Sequence, residues 1–255
     1  MRLSLLRTGL LLLIPLVAWE LLSRFGPWPH WLFPGPNAVA GSIARMLGDG
    51  RLGAAAARSL ARLAQGYTLS ALVGVPLGVL LARSELVRGA LRPLVLGLQA
   101  LPSICWLPLA ILWFGLSETA ILFVVVMGSV LAISIATEDA IAGVDPLLLR
   151  AAGTLGVRGA RFHLGVLLPA ALPGILTGLK LGWSFAWRAL MAGELLFVAG
   201  GLGQLLQNGR EVLDAAQVMG VMVAIVAIGV VVDRVLFRVL ELRVRRRWGL
   251  LEEPA

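Results

Sequence analysis

The feature that most limits what this chain can fold into is the length of its charge-free apolar runs. Leu63–Ala82, Pro93–Ser117, Thr119–Thr137 and Ala215–Val232 contain no charged residue. A helix rises ~1.5 Å per residue, so ~20 apolar residues cross the hydrocarbon core of a bilayer. Each run reaches that length or nearly does. Two more stretches are less clean. Thr8–Trp19 is apolar and continues through Glu20 to Leu22, and Leu172–Val198 carries Lys180, Arg188 and Glu194. The expectation is an all-α polytopic membrane protein with six transmembrane helices, at about 8–22, 63–82, 93–117, 119–137, 172–198 and 215–237. These would form a single domain covering 1–255.

Composition supports this reading. Hydrophobic residues make up 59% and charged residues 14%, against ~45–50% and ~25% in average soluble domains. That excess excludes disorder, a coiled coil and an ordinary cytosolic enzyme. Arg2 and Arg7 precede the first apolar stretch, as in a signal peptide. No small-x-small cleavage site follows, so it reads as an uncleaved helix.

The net charge is +8, and Lys180 is the only Lys. With an N-terminus inside, 13 Arg fall in the cytoplasmic pieces 1–7, 83–92, 138–168 and 238–255, and 6 in the outer pieces. The positive-inside rule therefore favours cytoplasmic termini. That distribution accounts for the basic balance without nucleic acid. The tail Arg243–Trp248 reads as a membrane-surface anchor. The single Cys, Cys105, excludes an internal disulfide.

Prolines mark the breaks. Residues 26–36 contain four and cannot be helical, and Asn37 then reads as the cap of a short helix ending near Gly48. Pro102 and Pro108 interrupt the third run. Either they bend a packing helix, or the break lines a solute path in which freed carbonyls, Ser103 and Trp106 meet water or substrate. The long loop 138–168 reads as a cytoplasmic helix–turn–helix. Asp145 caps a helix Pro146–Leu155, Gly156 breaks it, and Ala160–Leu168 follows, with Pro169 and Pro173 punctuating the start of the fifth span. Such a loop either docks a soluble partner or is an interfacial amphipathic segment.

That loop carries a family resemblance. Ala151-Ala152 is followed by Gly156, nine residues, and then Val166-Leu167-Leu168-Pro169. The spacing resembles the coupling loop of type I ABC importer permeases, with Arg150 where their Glu is usual and Val166 in place of Ile. Leu32-Phe33-Pro34-Gly35-Pro36 with Val39, the run Pro102–Gly115, and Leu168–Gly178 resemble the nitrate/sulfonate/taurine branch. The resemblance implies ATPase coupling through Arg150, Ala151, Ala152, Gly156, Leu168 and Pro169. It also implies a second copy of the permease, two cytoplasmic ABC ATPase subunits that bind ATP and magnesium, and an extracytoplasmic solute-binding protein.

The fifth span has two faces. Gly174, Gly178, Gly182 and Ala186 form a small-residue stripe, suited to packing inside the subunit or to a dimer contact. Lys180, Trp183, Trp187, Met191 and Glu194 share an arc of ~80°. Ionisable groups at membrane depth usually face a bundle interior or a wet cavity. The arc therefore either lines a pathway, with Lys180, Trp183 and Trp187 facing Ser103 and Trp106, or its two charges snorkel to opposite interfaces. Glu194 would order a gate by pairing with Arg188 or a neighbouring subunit.

No Gly-Lys-Ser/Thr phosphate loop, metal spacing or nucleophile elbow is present, so no enzyme activity or cofactor is expected in this chain. The reading is the membrane subunit of an ATP-driven importer of a small solute, with an anion such as a sulfonate, nitrate or taurine-like compound implied by the resemblance. An ion-coupled secondary transporter is the alternative. It should show inverted repeats and buried coupling carboxylates, and neither is evident.

Overall fold

The computed structural model describes residues 2–197 and 200–247, and every described element is helical. The chain divides into two compact units, one of residues 1–59 and 198–227, the other of 60–197 and 228–255.

The first unit contains α1 (Arg2–Phe25), α2 (Pro36–Gly48) and α10 (Leu202–Glu211), with the first parts of α3 (Arg51–Arg83) and α11 (Ala215–Val232). The connection after α1 is non-helical and holds Pro27, Pro29 and Pro34; the fourth proline of 26–36, Pro36, opens α2. It is tied back by Trp19 Nε1, which donates to Pro34 O at 3.0 Å, and Ser23 Oγ, which donates to Phe33 O at 3.1 Å. The cap of α2 is Gly35, not Asn37. Pro36 takes the first helical position, where its fixed φ suits the helix and its missing N–H costs nothing.

The second unit follows with α4 (Glu85–Gln99), a 3₁₀ turn (Ser103–Trp106), α5 (Leu107–Phe114), α6 (Glu118–Ala142), α7 (Pro146–Thr154) and α8 (Gly159–Phe162). A π turn (His163–Leu167) leads into α9 (Leu168–Leu196). A second π turn (Asp233–Phe237) and α12 (Arg238–Arg247) complete it. Its core is α6, on which Ile121, Val124, Val125 and Ile133 are at most 1% exposed. A helix apolar on every side must be covered on every side, and glycines let its neighbours come close. Gly74 and Gly78 of α3 abut Val130, Ile133, Ser134 and Thr137. Gly174, Gly178 and Gly182 of α9 abut Ala140, Ala136 and Ile133. A Cβ on Gly178 would lie 2.6 Å from that of Ala136. The glycine stripe of α9 is thus used for packing within the subunit, one of the two uses expected of it.

Among the described residues four helices are long and apolar enough to cross a membrane: Arg51–Arg83, Glu118–Ala142, Gly159–Leu196 and Ala215–Val244. The pair Glu85–Gln99 and Ser103–Phe114 makes a fifth if taken as one crossing bent by 98°. The expected span 8–22 falls within α1, and the side chains of residues 2–12 lie outside the description, as does Trp248 of the expected anchor.

Residues 85–92, placed among the cytoplasmic pieces, are the first half of α4, capped by Ser84, whose Oγ accepts from Val87 N. Pro169 and Pro173 stand at the start of the fifth span, and the helix Gly159–Leu196 runs through both. Pro169 sits in the first turn of α9, where it is tolerated, and the bonding ahead of it widens into the π turn.

Candidate functional site

Helix α9 positions the residues that sequence singled out, because the face opposite its glycine stripe is not covered by α6. Lys180, Trp183 and Trp187 line a cavity of about 630 Å³ together with Ser184, Asp233 and Arg234. The Lys180 ammonium lies 2.9 Å from an Asp233 carboxylate oxygen, and both side chains are more than 40% exposed. Asp233 opens the π turn after α11, and such turns re-aim side chains by shifting the helical register. Tyr67 braces the wall: its hydroxyl donates to Leu179 O at 2.8 Å, and its ring packs edge-on against Trp183 and Phe237.

The broken segment does not share this cavity. Pro102 and Ser103 line a second one, of about 320 Å³, with Gln99, Gly128, Phe185 and Arg188. Trp106 packs edge-on against Phe123 instead. The expected juxtaposition of Lys180 and Trp183 with Ser103 is therefore replaced by one of Arg188 and Phe185 with Ser103. The helices on either side of the break meet at a bend of 98°. Arg188 Nε donates to Ser184 O at 3.1 Å, and its guanidinium stands 4.6 Å from the centre of the Phe185 ring. Among the described residues it has no carboxylate partner.

Glu194 lies apart from both cavities. It is 0% exposed and accepts from Arg62 Nη1 at 2.8 Å, while Arg62 also holds Glu118 at 2.5 Å. Its partner is Arg62, not Arg188, and the link ties the last turn of α9 to α3 and to the start of α6. A corresponding cluster closes the other end of α6. There Glu138, also fully buried, takes Arg88 at 2.7 Å and Arg92 at 2.9 Å, and Arg92 also reaches Asp139. Sequence reasoning missed Arg62, Glu118, Glu138, Asp233 and Gln99. Each flanks a charge-free run or a break, and that position is the one local signal they carry.

The loop between α6 and α9 has its own geometry. Asp145 caps α7, accepting from Leu147 N at 2.7 Å. Gly156 turns the chain with φ of +75°, a region that glycine reaches without penalty. Leu149, Leu167 and Leu168 pack on Ile141, Val144, Ala171 and Ile175, which seats the loop on α6 and α9. Ala152 is buried by its own chain, whereas Arg150 and Ala151 face out. Leu147 and Leu155 are 72% and 82% exposed.

Comparison with known proteins places this geometry among relatives. The family of binding-protein-dependent transport system inner membrane components matches residues 74–248. A Methanocaldococcus jannaschii protein carrying the name ABC transporter permease is 33% identical over 226 residues, covering 87% of this chain and 84% of that protein. The taurine transport system permease protein TauC of Escherichia coli is 34% identical over 172 residues, or 68% of this chain and 62% of that one. The nitrate import permease protein NrtB of Synechocystis is 28% identical over 186 residues, or 73% and 68%. The inward-facing MetNI methionine ABC transporter shares the fold. It has a TM-score of 0.65 at 21% identity, over 73% of this chain and 93% of the other.

Proposed function

Because this chain belongs to the binding-protein-dependent transport system inner membrane components, and is a permease of an ABC importer, we propose that it carries a small oxyanion inward, of the sulfonate or nitrate type. Hydrolysis of ATP, with its magnesium, takes place on separate cytoplasmic ABC ATPase subunits. The observation that carries the substrate class is the likeness to permeases named for taurine and for nitrate, over 68% and 73% of the chain. Both named solutes are small and bear oxygen-rich anionic groups.

In this reading the 255 residues act as one permease domain. Six spans, the first at 8–22, leave both termini in the cytoplasm, and two copies enclose the path. An extracytoplasmic binding protein delivers the solute. The loop 138–168 docks on the ATPase through Arg150, Ala151, Ala152, Gly156, Leu168 and Pro169. Two exposed leucines, Leu147 and Leu155, support such a contact, since exposed apolar side chains at a loop tip mark an interaction surface. Pro102 and Ser103 in one cavity, and Lys180, Trp183 and Trp187 in the other, line the path, and Glu194 braces it.

The test is uptake of labelled taurine and nitrate into proteoliposomes holding the permease, its ATPase and its binding protein. Uptake of at least one should require ATP and persist without an ion gradient, and the permease alone should hydrolyse no ATP. Uptake driven by a proton or sodium gradient in the absence of ATP would instead establish a secondary transporter.

A further inference from the structure

Two cavities open on α9, and they differ in whether a carboxylate faces the cation. The larger holds Lys180 and Arg234 beside the carboxylate of Asp233, so an anion entering it meets a negative group that already occupies the ammonium. The smaller, at the break between α4 and α5, is lined among the described residues by one cation and no carboxylate: Arg188, with Gln99, Ser103 and Phe185.

Three observations make the smaller cavity a place for an anion. An arginine in the body of a membrane-spanning helix is costly unless it faces water or a partner, and among the described residues Arg188 has no acid to face. The ring of Phe185 below the guanidinium and the Ser184 carbonyl on Nε fix its position, leaving the two Nη groups as donors. A planar guanidinium offers paired N–H bonds that suit the oxygens of a sulfonate or nitrate. Finally, the side-chain oxygen of Gln99 is buried without a hydrogen-bond partner among the described residues. A terminal amide can present either its carbonyl or its NH₂ by a half-turn, so Gln99 has a bond to make with whatever enters. Ser103 adds a hydroxyl that has no hydrogen-bond partner among the described residues.

We propose that Arg188, with Gln99 and Ser103 at the break between α4 and α5, is the contact that hands a small oxyanion through this permease. The Lys180–Asp233 pair is then a neutral part of the wall. The proposal rests on the permease reading above and adds the contact residues and their selectivity. The arrangement suits transport. One cation attracts the anion, and a single amide and hydroxyl do not enclose it, so release is not blocked.

The experiment places a reporter thiol in the cavity, as Ser103→Cys with Cys105→Ala, in the permease assembled with its ATPase in proteoliposomes. Two methanethiosulfonate reagents of similar size are compared, one bearing ethylsulfonate and one bearing ethyltrimethylammonium, each rate normalised to a free thiol. The sulfonate reagent should react faster by about 10-fold, a ratio that one uncompensated charge in a partly dry site can produce. Arg188→Gln should remove the preference and Arg188→Lys should keep most of it, which guards against a folding defect. Lys180→Gln and Arg234→Gln should leave it unchanged, and added taurine should slow the reaction. Equal rates for the two reagents, a preference that survives Arg188→Gln, or one that disappears with Lys180→Gln would each overturn the proposal, as would a thiol that neither reagent reaches. Uptake that needs no ATP, alongside a preference that depends on Arg188, would overturn the importer reading and leave this anion contact standing.

Discussion

At its last turn α9 gives Glu194 to Arg62, and in its middle it gives Lys180 to Asp233. The first carboxylate is wholly buried and its arginine nearly so, with 9% of the side chain exposed. In the second pair each side chain is more than 40% exposed and lines a cavity. A buried pair repays its desolvation only while both members are present, whereas an exposed pair contributes little and loses little when broken. The two regions therefore teach opposite lessons about a charge in an apolar helix. At the last turn the charge holds α9 to α3 and α6, and in the middle it leaves the chemistry of a wall adjustable.

The largest effect should come from breaking the buried region. Arg62→Met removes the cation shared by Glu118 and Glu194, and should cost about 3–5 kcal/mol, because a fully buried carboxylate loses its counter-charge. The unfolding midpoint of the purified protein in detergent should fall sharply, with loss of monodisperse material. Arg62→Met combined with Glu194→Met should regain most of the loss, since an apolar pair of similar volume replaces the ions. A single variant as stable as the parent would mean that the buried region behaves like the open one.

The sequence makes part of this legible. The charge-free runs mark α6 and much of α3 and α11 because burial in lipid or core acts on every residue of such a run. Asp145, Pro146 and Gly156 delimit α7 because capping and left-handed turns are local requirements. Pro102 announces a break but not its 98° direction, which depends on the helices that receive the two halves. The ion pairs were out of reach. Arg62 and Glu194 are 132 residues apart, and nothing along the chain links them. Lys180 and Arg188 lie ~80° apart on the helical wheel of α9, on two different cavities. What separates them is Asp233, brought in by the π turn after α11.

The contrast of covered and uncovered groups recurs in the loop, where it sharpens into two neighbouring substitutions. Ala152 is 6% exposed and Leu155 is 82% exposed. Ala152→Trp has to displace the chain's own packing and should lower stability by about 1–3 kcal/mol, visible in the melting of the permease without its ATPase. Leu155→Ser touches nothing in this chain and should leave that melting unchanged. It should instead weaken association with the ATPase by about 10-fold, the equivalent of ~1.4 kcal/mol, read by co-purification or by titration in nanodiscs. If Leu155→Ser reduces stability, or leaves the affinity intact, the docking surface does not include this turn.

The smallest effect belongs to the open region and tests the comparison most directly. Lys180→Met leaves Asp233 with access to water in the cavity, so its carboxylate can be solvated where Glu194 could not. The expected cost is below ~1 kcal/mol, and Asp233→Asn should cost as little. In a double-mutant cycle, the coupling between positions 180 and 233 should likewise stay below ~1 kcal/mol. It should shrink further in high salt, because exposed charges are screened over a Debye length of ~8–10 Å near physiological ionic strength. The same cycle at positions 62 and 194 should give a coupling several-fold larger and nearly independent of salt. A strong, salt-insensitive coupling between Lys180 and Asp233 would make that pair a structural tie like Arg62–Glu194, and the wall it lines would be closed to solvent when the permease is assembled.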